Sequence, residues 1–482
     1  MTLVRTFLHT CKKHAQKTAV IDQSGETTYD NLLREAQDYT AKLLSEETGG
    51  SIGILLPNCK EFVATFYGIL MAGKTPVPLN FLLSPEQLMY VIKNADISTI
   101  FTNSLFGPQI KNHIRHTFSV ESKRSHISLE ESKIRLGDAE DMAALLYTSG
   151  TSANPKGVIL THKNFISNLE GCIYAFNFTE RDILLGILPL FHTYALTTTL
   201  ILPISMGATT VYLVRFSAPK VLETIEKYKI TSLFAIPSMY RVLLKTAQSA
   251  KHDISTLRIC TSGGELLPGD VLDAFNRTFP VPLTEGYGLT ESTAIVSVNL
   301  PKKCKPGSIG PPLRNLEVKI MDDDGKRLPL NKEGEMWVRG PNVMKGYYKL
   351  PKETAETITS DGWLKTGDYG RLDEEGFLWI TGRKKELIII SGENVSPNEI
   401  ERVISGHEKI FEVAVIGVPD KVRGEVPKAF IALRENMTCS EEEMKDYCTQ
   451  RLPHYKVPRY FEFLKELPHG PTGKVLKRAL KK

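Results

Sequence analysis

Residues Tyr147 to Gly157 read YTSGTSANPKG. An apolar run, Met142 to Leu146, comes before the string, and Val158, Ile159 and Leu160 follow it. That pattern predicts a loop between two short apolar strands. Thr148, Ser149, Thr151 and Ser152 supply hydroxyls, Gly150 and Gly157 let the backbone bend and approach, and Lys156 adds a positive charge. Such a loop can wrap the oxygens of a phosphate. It is not a Walker A loop, because Pro155 stands where that pattern has glycine before its lysine. Taken alone, the string fits a turn-rich surface hairpin equally well.

At 482 residues the chain can form two or more domains with sizeable cores. Its 41% hydrophobic and 24% charged residues are ordinary for a globular protein. A net charge of +5 is slight for this length and argues against nucleic acid, which calls for a clustered basic excess. So small a charge leaves peripheral membrane contact open, and homodimer formation is open too. Seven cysteines, none in a C-x-x-C pair, predict buried free thiols in a reducing compartment. The N-terminal MTLVRTFLHTCKKHAQK lacks the apolar core of a secretory signal. Ile183 to Ala208 is strongly apolar, but Pro189, His192, Tyr194 and Pro203 interrupt it, so it reads as buried core and not as a transmembrane segment. The expectation is a cytoplasmic protein.

Strand and helix signals alternate on both sides of the loop. Asp30 to Glu46 has helical spacing, SIGILLPN is a short strand, and Glu61 to Ala72 is a helix closed by Gly73. TPVPLN is a strand, and Ser84 caps a helix over Pro85 to Asn94. Beyond the loop come strands at Thr209 to Val214 and Ile230 to Ala235, helices at Pro219 to Tyr228 and Ser238 to Gln248, and a strand from Leu257 running into Ser262-Gly263-Gly264-Glu265. This predicts an α/β body of parallel βαβ sheets. From Ser308 the alternating runs LEVKIMD, GEMWVRG and GFLWITG predict a small antiparallel, barrel-like subdomain. Past Arg383, the strands and the helices Pro397 to Ser405 and Glu441 to Arg451 predict a compact α+β unit. Ser440 and Glu443 form a capping box for the second helix. The boundaries expected are a large domain over 1–382, a hinge at 383–385 and a small mobile domain over 386–482.

Four further strings carry chemistry. Glu285 to Glu291, EGYGLTE, fails the dinucleotide pattern at its last position and could be a tight turn. It does set an aromatic ring (Tyr287), a hydroxyl (Thr290) and a carboxylate (Glu291) together, groups that suit a purine, a phosphate oxygen and a hard divalent cation. Asp361 to Asp368, DGWLKTGD, reads as a β-turn ending in an acid. His192, in LPLFHTY, reads as a core histidine, and PTGKVLKR, Pro471 to Arg478, as a basic tail.

Taken together and in order, these strings resemble the signatures of the adenylate-forming superfamily: [YF]-T-S-G-T-[ST]-x-x-P-K-G, P-x-F-H, Y-G-x-T-E, T-G-D and P-T-G-K-[IV]-x-[KR]. The resemblance covers almost the whole chain. It implies an AMP-forming acyl-CoA synthetase that activates a carboxylic acid with ATP and Mg2+ and passes the acyl group to coenzyme A. It implies phosphate binding by Thr148, Ser149, Gly150, Thr151, Ser152 and Lys156, and nucleotide contacts from Gly263, Gly264, Glu285, Gly286 and Gly288. Adenine would lie on Tyr287, phosphate on Thr290, Mg2+ on Glu291 and the ribose on Asp368 and Arg383. Lys474 would be catalytic, between the acid and the α-phosphate, where anionic groups must meet. His192 would gate the carboxylate site, lined by Tyr194, Ser238, Met239 and Gly288. Ser391 and Gly392 would meet CoA, and Lys385 would be the hinge.

The segments Phe191 to Thr198, Ala235 to Tyr240 and Gly286 to Leu289 hold no cation to pair with a second acid charge. That suits an aliphatic acyl chain, and the runs GPNVMKGYYKLPKETAE and GENVSPNEIE resemble medium- and long-chain fatty acyl ligases, which implies such a fatty acid. An aryl acid is the alternative, with Tyr194, Met239 and Tyr240 as a flat slot. A carrier-protein thiol is the alternative acceptor. A non-catalytic AMP-binding protein is disfavoured by the presence of Lys474, Glu291 and Asp368.

Overall fold

A computed structural model describes residues 1–110, 114–121, 129–148, 155–247, 252–390, 393–420, 422–469 and 475–481. The largest sheet has eight strands. Six of them run parallel, in the spatial order Leu283–Tyr287, Ile259–Ser262, Ser232–Ala235, Ile183–Gly186, Thr209–Tyr212 and Thr18–Asp22. Antiparallel strands Ser297–Val298 and Gly25–Thr28 close its edges. Helices Ala218–Tyr228, Pro237–Ala247 and Gly269–Thr278 make the crossovers that parallel strands require. A second, all-parallel sheet of Thr75–Pro78, Ser51–Leu55, Thr99–Thr102 and His116–Ser119 repeats the pattern. The βαβ expectation holds, with boundaries shifted by a residue or two.

Some local expectations are met closely. Gly73 closes the helix Lys60–Met71 at φ +71°, and Ser84 with Gln87 caps Pro85–Asn94. Ile183 to Ala208 is buried, mostly as a helical run from Thr193 to Met206 whose middle, Leu196–Ile201, is wound as a π-helix. The N-terminus holds an element the sequence reading overlooked. Leu3–Lys13 is a helix capped by Thr2, and its Phe7 ring stacks on Tyr67 at 4.0 Å. Among the described residues no helix is long and apolar enough to cross a membrane.

The expected barrel-like subdomain takes the form of a four-stranded antiparallel sheet: Glu317–Met321, Gly334–Arg339, Leu364–Leu372 and Leu378–Arg383. A separate C-terminal domain follows. Its sheet, built on the long pair Ile410–Asp420 and Gly424–Leu433, buries Ile388, Ile390, Ile400, Ile404 and Val415 in a core of its own. Helix Pro397–Ser405 forms as predicted. The expected capping box of Glu441–Thr449 forms by half. Ser440 accepts from the Glu443 N–H, but Lys409 draws the Glu443 carboxylate away at 2.6 and 2.9 Å. The thiols are free, yet not all are buried: Cys304 is exposed and Cys439 partly so.

Candidate active site

Strand register sets the site. Ala235 pairs with Ser262 and Ser262 with Glu285, so two parallel strands end level and the third runs two residues further, to Tyr287. The residues just past them gather along the carboxyl edge of the sheet, where open α/β sheets bind ligands. Gly264 turns there at φ +82°, and Gly263 faces the Tyr194 ring. Gly288 is demanded by close approach, because a Cβ on it would lie 1.5 Å from the Ala294 carbonyl oxygen. Gly286 meets only ordinary contacts. Thr293 and Ala294 are both left-handed, at φ +55° and +78°, a conformation that costs energy in residues with a side chain. Buried amides hold them in it. Thr293 Oγ1 donates to the Asn342 carbonyl at 2.7 Å, Asn342 Nδ2 to the Ser292 carbonyl at 2.8 Å, and Asn168 Nδ2 to the Ile295 carbonyl at 2.7 Å.

Tyr287 and Asp368 meet across the fold. The phenol donates to Asp368 Oδ2 at 2.6 Å, and Arg383 Nε lies 2.9 Å from Oδ1. Arg383 stands opposite Asp368 in the antiparallel ladder. Burial pushes the Asp368 carboxyl up, while Arg383 and Tyr287 pull it down by favouring the anion. Each carboxylate oxygen keeps acceptor capacity beyond these bonds, which is what a ribose diol needs. Glu285 lies on the strand that carries Tyr287. It is buried, accepts from the Leu267 N–H at 3.0 Å, and burial pushes it up to about 7.

The turn Thr290–Ser292 carries Thr290 and Glu291. Glu291 Oε1 accepts from the Tyr347 hydroxyl at 2.8 Å, and Lys156 Nζ sits 5.0 Å over the Tyr347 ring. The strands Met142–Thr148 and Lys156–Thr161 pair antiparallel with Thr148 opposite Lys156, as the apolar runs predicted. Ser149, Gly150, Thr151 and Ser152 lie outside the described residues, as do Ser391, Gly392 and Lys474.

Among the residues expected to line the acid site, His192 starts the helical run and packs on Phe191 with ring centroids 4.5 Å apart. Tyr194 donates to the Thr261 carbonyl at 3.3 Å, and Met239 is half-buried against the apolar core. Ser238 is exposed. Tyr240 does not join a slot. It is buried, its hydroxyl donates to the Leu233 and Thr261 carbonyls at 3.0 and 3.1 Å, and its ring packs edge-on to Phe275. Lys385 is exposed in the turn Lys384–Glu386, between the two domains. Beside it, Lys384 reaches back to Asp323 at 2.9 Å.

Sequence reasoning missed Asn168, Asn342 and Tyr347. The last two lie in GPNVMKGYYK, whose Gly-Pro-Asn turn was the available signal. Among the described residues, His407, Cys439 and Glu443 also converge closely enough to suit a metal, but the Lys409 ammonium already neutralises Glu443.

An α/β body of parallel strands followed by a separate C-terminal domain, with Asp368 held between Tyr287 and Arg383, is the arrangement these features define. The chain belongs to the family of AMP-binding enzymes, whose description matches residues 7–348, with the AMP-binding enzyme C-terminal domain matching 399–474. A long-chain-fatty-acid–CoA ligase of Bacillus subtilis (strain 168) is 34% identical over 526 residues, 99% of this chain and 94% of that protein. An anthranilate CoA ligase solved with anthranoyl-AMP is 30% identical with a TM-score of 0.91, covering 100% of this chain and 97% of that one. The o-succinylbenzoate coenzyme A synthetase of Bacillus subtilis, solved with ATP and magnesium ion, is 31% identical with a TM-score of 0.90, covering 99% of each. These likenesses support acyl-CoA ligase activity and span acids of different kinds.

Proposed function

We propose that this chain is a cytoplasmic, AMP-forming ligase that joins a medium- or long-chain fatty acid to coenzyme A. One observation carries the choice of acid. The glycine turn faces the Tyr194 ring and Ile236, and the three neighbouring segments contain no Lys, Arg, Asp or Glu. An aliphatic chain asks for apolar lining and no second charge partner.

In the first half-reaction a carboxylate oxygen attacks the α-phosphorus of ATP, and pyrophosphate leaves. In the second, the CoA thiolate attacks the acyl carbonyl carbon, and AMP leaves. Tyr287 carries the adenine, and Asp368 with Arg383 holds the ribose. Thr148, Lys156 and Thr290 contact phosphate. Lys474 bridges the attacking carboxylate and the α-phosphate, lowering the repulsion between two anions. Glu291 with Thr290 beside it fits Mg2+, which is commonly held by one or two carboxylates plus substrate phosphates. When bound, Mg2+ neutralises charge gathering on the leaving pyrophosphate. His192 positions the acid, which is already ionised at neutral pH. Lys385 is the hinge that lets the small domain change faces, bringing Ser391 and Gly392 to CoA.

An aryl acid is the second reading, favoured by the Tyr194 ring at the glycine turn and weakened by the withdrawal of Tyr240 into the core. An acid-dependent AMP-release assay with MgATP, with and without CoA, over aliphatic acids, benzoate and a cinnamate, separates them. A thioester peak at one aliphatic length is the expected result. A peak on the aromatic acids replaces the fatty-acid reading, and acyl-AMP that CoA does not discharge points to a carrier-protein thiol.

A further inference from the structure

Tyr347 has no part in the scheme above, yet it touches two groups that do. Its hydroxyl donates to Glu291 Oε1 at 2.8 Å, and its ring face lies under Lys156 Nζ at 5.0 Å. Backbone contacts set it there. The strand Gly346–Tyr347 pairs antiparallel with Lys156–Thr161, with Tyr347 opposite Val158. The Tyr348 N–H donates to the Gly157 carbonyl at 2.8 Å, and the Met344 N–H to the Glu291 carbonyl at 2.8 Å. One short segment is therefore stitched both to the strand that leaves the phosphate loop and to the turn that carries the acid.

We propose that Tyr347 is a positioning residue that orients Glu291 for Mg2+ and Lys156 for the ATP phosphates. The proposal rests on the roles assigned above to those two residues. The phenol engages one lone pair of Oε1 and leaves the remaining carboxylate lone pairs for a hard cation. It also narrows the rotamers open to Glu291, so less freedom is lost when the cation binds. The ring face gives the Lys156 ammonium a fixed resting place by cation–π attraction. Partners of this kind, one bond removed from a metal, typically alter metal affinity by about 10–100-fold when removed.

The test is equilibrium binding of a fluorescent ATP analogue to the full chain, first in EDTA and then along a Mg2+ titration, with a thermal midpoint for each variant. Tyr347→Phe keeps the ring and loses the hydroxyl. It should need about tenfold more Mg2+ for half-saturation, with nucleotide affinity in EDTA unchanged. Tyr347→Leu should also weaken binding in EDTA several-fold, and wild-type affinity there overturns the Lys156 half of the proposal. Glu291→Gln is the control. If it shifts the Mg2+ requirement and Tyr347→Phe does not, the role of Tyr347 is overturned. If neither shifts it, the metal role of Glu291 fails and the proposal falls with it.

Discussion

Tyr287 donates a 2.6 Å hydrogen bond to Asp368, 81 residues further along the chain. The bond ties the expected adenine platform to the expected ribose carboxylate, so the two ends of a nucleoside would be read by one rigid unit. Arg383 completes it from the other oxygen. Tyr287→Phe keeps the stacking face and removes the donor. Hydrogen bonds to charged groups contribute about 1.5–3 kcal/mol, so nucleotide affinity should fall by about 10- to 100-fold. Titration calorimetry with ATP measures this, and unchanged affinity would show the bond to be incidental.

Gly288 has no room for a side chain. A Cβ would sit 1.5 Å from the Ala294 carbonyl oxygen, on a backbone already left-handed at Ala294. Overpacking of this kind costs about 1–3 kcal/mol. Gly288→Ala should lower the midpoint of chemical denaturation and depress acid-dependent ATP–pyrophosphate exchange. Gly286→Ala, which meets only ordinary contacts, should be far milder in both assays.

His162 makes stability depend on acid. Its Nδ1 accepts from the Leu3 N–H at 3.2 Å, and burial lowers its pKa from 6.5 to about 4. Between those values the unfolded chain binds the proton and the folded chain does not, so stability falls as pH falls through that window. The loss between pH 7.5 and pH 5 should be about 2 kcal/mol from this group. Urea unfolding at the two pH values, in the wild type and in His162→Gln, isolates it. An equal acid loss in both proteins would acquit His162.

Lys474→Ala should abolish acyl-AMP formation and spare thioester formation from supplied acyl-AMP and CoA. The two half-reactions are assayed separately. Equal loss in both would refute the bridging role given to this lysine.

Tyr240→Phe should cost about 1–2 kcal/mol of stability, since its hydroxyl serves two buried carbonyls. The acid preference should not move. A changed ratio of rates on a cinnamate and an aliphatic acid would return Tyr240 to the acid slot.

Much of the site was legible because its parts are local strings. Gly288 sits where a Cβ has no room and Gly264 where a positive φ favours glycine, and the hydroxyl-rich loop is framed by two continuous apolar runs that read as strands. The N-terminal helix escaped notice because its Leu3, Val4, Phe7 and Cys11 stripe is interrupted by basic residues that end on its exposed side. The half-formed box at Ser440 was misjudged because Lys409, 34 residues away, competes for Glu443. Tyr240 was misassigned because an aromatic near a pocket segment looks the same in sequence whether its ring turns toward the pocket or into the core.

The sequence by itself determined the α/β alternation, the separate C-terminal unit and the motif residues, since periodicity, turn chemistry and glycine demands act over a few neighbouring positions. Only the tertiary structure decided that Tyr287 bonds Asp368, that Asn342 and Asn168 hold the strained Thr293-Ala294 turn, and that Tyr347 stands against both Glu291 and Lys156. Those contacts join residues far apart in the chain, and they exist because strand order, register and packing bring separate strands, turns and a helix together.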